Sequence, residues 1–296
     1  MKPVWQTARF SIDLSSPKIM GIANITPDSF SDGGVYSHSV QAALRHAEKL
    51  LADGADILDI GGESTRPNAP PVPSDEEWRR VAPVLAEVSR WNVPVSLDTR
   101  RAEVMRRALD GGLADIINDV QALEDAGALE TVAQSRAGVC LMHMKGQPEN
   151  MQDDPRYADI AAEVAQYLDA RADGWLAAGM DAARMVLDVG FGFGKTLAHN
   201  LALYRGIPAW ASVAPVLVGV SRKSMLGAIT GQPVERRLAA SLAGALAGVQ
   251  MGATIVRVHD VPETVQALAV WTAIGLPAAA GGFHIGDGHP GRPAKE

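Results

Sequence analysis

The chain has 296 residues, enough for one large domain or two average ones, and its 47% hydrophobic and 21% charged residues are typical of a globular protein. Its formal net charge of -7, with no basic run, argues against nucleic acid and anionic membranes as partners. The single cysteine, Cys140, excludes an intrachain disulfide and a cysteine-built zinc site. The N-terminal segment lacks the apolar core of a signal peptide, so we expect a cytoplasmic protein.

Short apolar, β-branched runs recur along the chain, and each of them ends in a polar residue. The polar residues that mark these runs are Asn24, Asp59, Asp98, Asn118, His143, Asp188, Ser221 and His259. Continuous apolar runs are typical of strands that are buried on both faces of a parallel sheet. The sequence therefore predicts eight parallel strands.

Helical patterns lie between these runs. Helices are predicted over residues 40–51, 75–90, 101–109 and 160–178. Ser74 is the expected N-cap of the second helix, because acidic residues follow it in the first turn. Eight strands that alternate with helices predict an α/β protein with a single (β/α)8 TIM barrel. A doubly wound sheet is the alternative.

Three further boundaries follow from the chain. No linker divides it, so we expect one domain over residues 1–280. Residues 8–17 are expected to form a hairpin that closes the floor of the barrel. Residues 281–296 are rich in Gly, Pro and polar residues, and we expect a flexible, disordered tail there.

One small-residue stretch bears on the question of a membrane partner. Residues 238–256 carry no charge, and Gly244, Gly248 and Gly252 form a double GxxxG pattern of the kind that membrane helices use. Few of these residues are large and apolar, and the stretch runs into the β-branched sequence TIVRV, which is typical of a strand. We therefore predict a helix packed closely on a sheet, followed by a buried strand, and no membrane partner.

The polar residues that end the predicted strands indicate where the functional site lies. In a (β/α)8 barrel, the site is formed at the C-terminal ends of the strands by the loops that follow them. Helix capping explains any one of these polar residues equally well, but it does not explain the whole set. The strand ends therefore predict one polar mouth.

The glycine-rich residues 190–196 (GFGFGKT) fail the spacing of the known nucleotide loops. Val189 stands where a Walker A motif needs glycine, and Lys195 and Leu197 stand where GxGxxG needs its third glycine. HxH, HExxH and GxSxG are also missing from the sequence, which disfavours zinc and serine hydrolases. A loop whose Phe191 and Phe193 stack on a flat ring is one remaining interpretation, and packing within the loop is the other.

The last two predicted loops carry basic residues that favour an anion site. They contain SRKS (221–224) and RVHD (257–260), and this corner of the barrel commonly binds phosphate. Arg257 and His259 are two positions apart on a strand, so their side chains share a face. Pro262 indicates the start of a helix, whose N-terminus adds positive potential.

Together these motifs resemble those of the dihydropteroate synthase family, folate-pathway enzymes that sulfonamide drugs target. The matching segments are NITPDSFSDGG (24–34), GADILDIGGESTRP (54–67), VSLDT (95–99), IINDV (116–120), GFGFGK (190–195), SRKS (221–224) and RVHD (257–260). They follow the family order over residues 18–262, and the resemblance implies the same (β/α)8 fold.

The resemblance implies a transferase that joins (7,8-dihydropterin-6-yl)methyl diphosphate to 4-aminobenzoate, giving 7,8-dihydropteroate and diphosphate. It also implies Mg²⁺ as the cofactor and a dissociative substitution. The small-residue helix and the apolar segment 265–273 suggest the surface of a homodimer. Two alternatives stay open: a pterin-binding protein without catalysis, and a barrel that transfers a methyl group from methyltetrahydrofolate to a corrinoid.

The resemblance further implies roles for individual residues. Pterin is expected to bind Asp98, Asn118, Asp188 and Lys223. Diphosphate is expected to bind Asn24, Thr65, Arg66, Arg257 and His259. Aminobenzoate is expected to bind Phe30, Thr65, Pro67, Phe193, Lys223 and Ser224. The catalytic residues implied are Asp98, Lys223, Arg257 and His259, and the implied Mg²⁺ ligand is Asn24.

Two positions depart from the family pattern. Val189 stands where the family usually has proline, and Asn68 stands where it usually has glycine. Asparagine adopts positive φ more readily than most residues, so the turn at Asn68 is expected to survive. Neither change removes an expected ligand, and both bear on loop shape and on the response to sulfonamides.

Overall fold

The computed structural model describes residues 3–25 and 36–275. Its strands form a two-stranded hairpin and an eight-stranded parallel sheet. The strands are β1 (Val4–Gln6), β2 (Ser11–Asp13), β3 (Lys18–Asn24), β4 (Ile57–Gly61), β5 (Val95–Asp98), β6 (Ile116–Asp119), β7 (Gly138–Met142), β8 (Met185–Asp188), β9 (Leu217–Val218) and β10 (Ile255–Val258). The last eight of these strands correspond to the eight apolar runs in the sequence.

The order of the parallel strands identifies a barrel. From one end of the sheet to the other it is β8-β7-β6-β5-β4-β3-β10-β9, so the strands from β3 to β8 pair in chain order and β10 pairs with both β3 and β9. A parallel bridge between Leu187 and Val216 joins the two ends of the sheet. The predicted (β/α)8 barrel is confirmed, and the doubly wound alternative is wrong because the strand order never reverses around a central crevice.

Helices surround the sheet and connect its strands. They are α1 (Tyr36–Ala52), α2 (Ser74–Val88), α3 (Ala102–Asp110), α4 (Ala128–Ala133), α5 (Ile160–Ala177), α6 (Leu197–Ala211), α7 (Ser224–Thr230), α8 (Leu238–Gln250) and α9 (Val261–Ile274). The four helices predicted from their patterns are confirmed within a few residues. Ser74 is not the N-cap of α2, because Pro73 occupies that position and Ser74 is already helical.

Successive side chains along each strand point alternately into the barrel and towards the helices, so the core has an inner and an outer layer. The inner residues at the floor of the barrel are Met20, Ile57, Ile116, Cys140, Val186, Leu217 and Ile255, which form one buried cluster. Their neighbours along the strands, such as Leu58, Val139 and Val256, pack against the helices in another cluster. Because side chains alternate, residues two positions beyond the floor layer also face the barrel interior, one level nearer its mouth.

The N-terminal hairpin closes the floor of the barrel, as expected, but its position in the chain was predicted wrongly. Strands β1 and β2 pair Trp5 with Ile12, so the hairpin covers residues 4–13 instead of 8–17. Trp5 is fully buried in the floor cluster, and its Nε1 donates to the Arg184 carbonyl at 2.9 Å. Each strand of the hairpin is only three residues long, so its alternation of apolar and polar residues is too short to locate the start of the hairpin.

Helix α8 confirms the predicted packing of the small-residue stretch. A Cβ added at Gly244 would lie 2.9 Å from Val220 Cγ2, and one at Gly248 would lie 3.3 Å from Val218. The glycines therefore let the helix axis approach the barrel closely. Across residues 3–25 and 36–275, the structure contains no helix that is long and apolar enough to cross a membrane.

Candidate active site

Inner-face residues from most of the strands form a polar layer at the C-terminal mouth of the barrel. The residues of this layer and its rim are Asn24, Asp59, Asp98, Asn118, Asp188, Arg257 and His259. Each lies on or directly after a strand and has the same parity as the floor residue of that strand, except Asp98, which is in register with Asn118 on the next strand. Because side chains two positions apart on a strand point to the same face, these residues all face the interior of the barrel.

Arg257 is the centre of this layer. Its Nε donates to Asp59 Oδ2 and its Nη2 donates to Asp98 Oδ2, both at 2.6 Å. Asn118 Nδ2 lies 3.4 Å from both carboxylate oxygens of Asp59. One guanidinium thus connects two carboxylates, and Asp59 connects that cation to the amide of Asn118.

Asp59 was predicted to be the end of a strand, with no role of its own. Its position at a strand end is wrong. It lies in the middle of β4, is fully buried, and sits one level deeper than Asp98. The available signal was an acidic residue inside the apolar run ADILDI. A carboxylate enclosed in a parallel strand needs a cation or several donors, so the run itself implied an inward-facing partner.

The electrostatics of Asp98 reflect competition between burial and this ion pair. Burial raises the pKa of the Asp98 carboxyl to about 7, although the Arg257 guanidinium pulls it down. The nearby carboxylates of Asp59 and Asp119 repel the negative charge and add to the rise. Such a group changes its charge near neutral pH, which is a common property of catalytic carboxylates.

Asp188 and Lys223 form the opposite side of the mouth. Burial raises the pKa of Asp188, while Lys223 opposes this rise. Burial likewise lowers the pKa of Lys223 to about 8, and Asp188 is the main group that opposes it. Gly190 donates its backbone N–H to Asp188 Oδ1 at 2.7 Å, which fixes the carboxylate at the end of β8.

The glycine loop after β8 contributes one aromatic surface and one core residue. Lys223 Nζ lies 4.5 Å from the centroid of the Phe193 ring and donates to the Phe191 carbonyl. Phe191 is fully buried, and its ring centroid is 4.9 Å from that of Tyr204. Phe191 therefore packs in the core and cannot stack on a ligand. Phe193 is half-buried and lies beside Lys223.

A buried lysine that sequence reasoning missed holds this loop in place. Lys195 is 3% exposed, and its Nζ donates to the carbonyls of His143 and Phe193 at 3.1 and 2.9 Å. His143 Nδ1 lies 2.9 Å from the same Nζ. Burial lowers the pKa of both Lys195 and His143, and their mutual repulsion adds to the lowering at His143.

The loop after β4 is tied at its base and open at its tip. Glu63 accepts Arg100 Nε and Nη2 at 2.8 and 3.1 Å and accepts the Val72 backbone N–H at 2.9 Å. Farther along, Thr65 is half-buried, whereas Arg66 and Pro67 are exposed. The Glu63–Arg100 pair was not anticipated, because nothing in the sequence indicates which arginine reaches this loop.

Asn68 follows this tip and adopts the conformation that the family's glycine would favour. Its φ is 64°, in the left-handed region, and its backbone N–H donates to the Pro148 carbonyl at 2.9 Å. Val189 is fully buried in the core, where it packs with residues of the cluster around Phe191. Both departures from the family pattern thus fit the local backbone and packing.

The rim next to Asp98 carries several of the residues expected at the diphosphate. Asn24 ends β3, and the Asn24 Oδ1 and Asp98 Cβ atoms would each lie 3.3 Å from a Cβ placed on Gly61. His259 follows β10, and burial together with Arg257, Arg222 and Arg66 lowers its pKa to about 3. Its imidazole is therefore neutral at pH 7.

The donor set at this rim fits a magnesium ion held mainly by phosphate and water. Within residues 3–25 and 36–275, three or more His, Cys, Asp or Glu residues nowhere form a group able to hold a metal. Asn24 offers an amide oxygen beside Gly61, 3.3 Å from where a Cβ on that glycine would stand. Mg²⁺ commonly takes one or two protein oxygens and completes its shell with waters and substrate phosphates.

The remaining expected residues have different positions. Ser224 is exposed and is the first residue of α7, at the rim next to Lys223. The expected start of a helix at Pro262 is confirmed, since α9 begins at Val261 with Pro262 in its first turn. Phe30 lies outside the described residues, as do residues 26–35 of its loop.

Comparison with known proteins identifies the family. The family described as "Pterin binding enzyme" matches residues 20–259. A "Dihydropteroate synthase" of Neisseria meningitidis serogroup C is 58% identical over 277 residues, covering 92% of this chain and 98% of the relative. The Escherichia coli (strain K12) dihydropteroate synthase is 46% identical, with 88% and 92% covered.

Solved structures agree with these relatives. A Xanthomonas albilineans dihydropteroate synthase with 4-aminobenzoic acid superposes with a TM-score of 0.87 at 47% identity, covering 94% of this chain and 100% of that one. The Burkholderia cenocepacia dihydropteroate synthase complexed with 7,8-dihydropteroate gives a TM-score of 0.84 at 46% identity, with 92% and 96% covered. The chain belongs to the dihydropteroate synthase family of pterin-binding enzymes, which are transferases of folate biosynthesis.

Proposed function

We propose that the mouth of this barrel condenses (7,8-dihydropterin-6-yl)methyl diphosphate with 4-aminobenzoate by a dissociative substitution. The observation that carries the proposal is the polar layer around Arg257, which pairs with Asp59 and Asp98 at 2.6 Å each. Asn118 lies within hydrogen-bond reach of Asp59. Lys223 and Asp188 are close enough for each charge to stabilise the other. Recognition groups for a pterin and for an anion thus share one opening.

The pterin would lie deepest, against carboxylates and an amide. A pterin edge presents adjacent N–H donors, which suit the buried carboxylate of Asp188, and ring acceptors, which suit Asn118 and Lys223. Asp98 would contact the ring on the side of the reacting methylene. The enclosure of these groups makes each hydrogen bond stronger than in water.

The diphosphate would lie at the rim above Arg257. Arg257 and His259 would donate to its oxygens, with Thr65 and Arg66 approaching from the loop after β4 and with Asn24 as the protein ligand of Mg²⁺. When bound, Mg²⁺ neutralises charge that develops on the leaving phosphate oxygens. A neutral His259 donates through one N–H without adding a charge, while Arg257 supplies the fixed positive charge.

The substitution would proceed through a pterin-stabilised cation. The bond between the methylene carbon and the diphosphate oxygen breaks, and its electron pair leaves with the diphosphate. The cation is delocalised over the pterin ring and balanced by the nearby Asp98 carboxylate. The aminobenzoate nitrogen then forms the new C–N bond and gives up a proton, which the departing diphosphate accepts, so no covalent enzyme intermediate is required.

Aminobenzoate would enter last, over the rim. Its ring would lie beside Phe193 and the Lys223 stem, bounded by Pro67 and Thr65 from one loop and by Phe30 from another. Ser224 at the N-terminus of α7 would face its carboxylate. Phe193 and Lys223 already approach each other closely, with Nζ 4.5 Å from the ring centroid, so they offer a flat wall with a positive end.

Pyrophosphate release tests this assignment directly. We expect release from the pterin diphosphate only when both Mg²⁺ and 4-aminobenzoate are present, with one dihydropteroate formed per pyrophosphate. Chelation by EDTA should abolish turnover, and added MgCl₂ should restore it. Pterin binding without product would favour a binding protein that lacks catalysis, and full activity in EDTA would refute the magnesium role.

A homodimer is the second proposal, and an exposed apolar surface supports it. Large apolar side chains remain exposed on α7, α8, α9 and the connection between α7 and α8, namely Ile229, Val234, Leu238, Val270 and Ile274. Val270 and Ile274 are 60% and 65% exposed on α9. We expect a dimer mass in sedimentation velocity at micromolar concentration, and a shift towards the monomer for Val270→Asp. A monomer at these concentrations would refute the proposal.

We also propose a cytoplasmic protein with one domain over residues 1–280 and a flexible tail over residues 281–296. The hairpin and the barrel share one core, since Trp5 packs with Cys140 and Ile255 in the floor cluster. This continuity supports a single domain from the N-terminal hairpin to α9. The described residues end at 275, so the tail stays a prediction.

A further inference from the structure

The hydroxyl of Ser221 contacts two atoms of His259. The proposed mechanism gives Ser221 no role. It is the first residue of the SRKS segment, it follows β9, and it is 7% exposed. The His259 backbone N–H donates to Ser221 Oγ at 3.2 Å, and His259 Nδ1 lies 3.1 Å from the same Oγ. One hydroxyl therefore contacts both the main chain and the ring of the histidine.

The proton inventory of these contacts leaves two arrangements. The backbone N–H can only donate, so it occupies one lone pair of Oγ. A neutral imidazole carries a single N–H, and the hydroxyl has one proton to give. Either Oγ–H donates to Nδ1, which leaves the ring proton on Nε2, or Nδ1–H donates to Oγ, which leaves a bare lone pair on Nε2.

The anion expected at this rim selects between the two arrangements. Nε2 is the ring nitrogen that Ser221 leaves free for a ligand. A phosphate oxygen accepts hydrogen bonds and repels a bare lone pair, so only an Nε2–H is attractive to it. Protonation of both nitrogens is disfavoured, because burial and then the charges of Arg257, Arg222 and Arg66 lower the pKa of His259, while Asp260 opposes them.

We propose that Ser221 is a positioning residue that donates its hydroxyl proton to His259 Nδ1 and thereby holds the Nε2–H tautomer ready for a diphosphate oxygen. The inference deepens the proposed diphosphate site and rests on it. Ser221 itself does not touch the substrate. Fixing one tautomer before binding removes a rearrangement that the complex would otherwise require.

Nitrogen NMR of the unmutated protein tests the tautomer without any substitution in Ser221. In protein labelled with ¹⁵N-histidine, the His259 resonances are assigned by their loss in His259→Gln. We expect a directly bonded proton on Nε2 and an unprotonated, hydrogen-bonded Nδ1 at pH 7.5. A proton on Nδ1 with a bare Nε2 would overturn the inference.

Binding of inorganic pyrophosphate with MgCl₂ tests the function of the hydrogen bond. We expect Ser221→Ala to weaken binding about tenfold by calorimetry, because His259 Nε2–H is then no longer held ready to donate to the charged ligand, and one such hydrogen bond is worth about that much. In the His259→Gln background, the same Ser221→Ala change should weaken binding less than twofold. An equal loss in both backgrounds would overturn the inference, since Ser221 would then act independently of the ring.

A matched control separates this effect from the loss of a buried hydroxyl. Thr7 is also 7% exposed, and its hydroxyl also makes two hydrogen bonds, with the Phe10 carbonyl and N–H, at the opposite end of the barrel. Thr7→Val should leave pyrophosphate binding unchanged. If His259→Gln itself binds pyrophosphate normally, the proposed diphosphate site is refuted, whereas the NMR result still decides the Ser221 hydrogen bond.

Discussion

Replacing Asp98 with asparagine is expected to lower kcat by about 10³-fold or more. The variant keeps the size of the side chain but loses the charge that balances the developing pterin cation. It also turns an amide towards Arg257, whose Nη2 donates to Asp98 Oδ2 at 2.6 Å in the unmutated protein. In a buried site these effects are large, because little solvent replaces the lost charge.

The pH dependence gives the Asp98 prediction a second measurement. Burial raises the pKa of Asp98 to about 7, so the carboxylate form gains population as pH rises through that value. The rate of the unmutated enzyme should therefore rise between pH 6 and pH 8. The Asp98→Asn variant should lack this rise, because it has no carboxyl group to deprotonate.

Single-turnover rates at saturating pterin diphosphate separate chemistry from binding for this variant. Asp110→Asn is a suitable control, since Asp110 is an exposed residue on α3 that pairs with Arg106 at 3.3 Å. The control should match the unmutated rate. A kcat within threefold of normal for Asp98→Asn would contradict the proposed role of Asp98.

The second large effect is expected from Arg257→Met. Removing the guanidinium leaves the buried carboxylates of Asp59 and Asp98 without their common cation. Breaking a buried pair in this way is expected to lower the free energy of unfolding by about 3–5 kcal/mol. Pyrophosphate binding should be lost together with stability, because Arg257 is also the fixed charge proposed for the diphosphate.

The stability loss of Arg257→Met should depend on pH in a definite direction. The pKa of Asp98 is already raised by burial and would rise further without Arg257. A folded state that binds a proton more tightly than the unfolded state gains stability as pH falls through the folded pKa. The deficit should therefore be larger at pH 8 than at pH 5, measured by urea unfolding.

Two variants make this measurement specific. Arg106→Met removes an exposed arginine that pairs with Glu103 on α3, and it should change the free energy of unfolding little at either pH. Asp59→Asn combined with Arg257→Met should recover part of the lost stability, because one unpaired buried charge is removed. A deficit that is the same at both pH values would show that lost packing, and not charge, is the cause.

The barrel and the location of its site could be predicted because both depend on properties that repeat along the chain. Apolar runs ending at Asn24, Asp98 or Asp188 reveal buried strands, and parallel strands necessarily bring their C-terminal ends to one side. The hairpin escaped this reasoning, since three-residue strands contain too little alternation to locate. Ser74 is not the cap because the helix begins one residue earlier than expected, which places Ser74 in its first turn and Pro73 at the N-cap.

The partners of the site residues could not be predicted in this way. Arg257 pairs with Asp59 and Asp98 across 198 and 159 residues of sequence. Several arginines and several carboxylates are compatible with the motifs, and no spacing in the sequence distinguishes among them. The same holds for Glu63 with Arg100 and for Lys195 with His143, which only the folded chain brings together.

By itself, the sequence determined the eight parallel strands of the barrel, the family to which the chain belongs and the side of the barrel at which the polar strand ends meet. Only the tertiary structure decided the depth of Asp59, the pairing of Arg257 and the contact of Ser221 with His259. The physical reason is the closure of the barrel, which places β10 beside β3 and β9. The register of these strands fixes which inward side chains share a level, and that register is a property of the closed sheet.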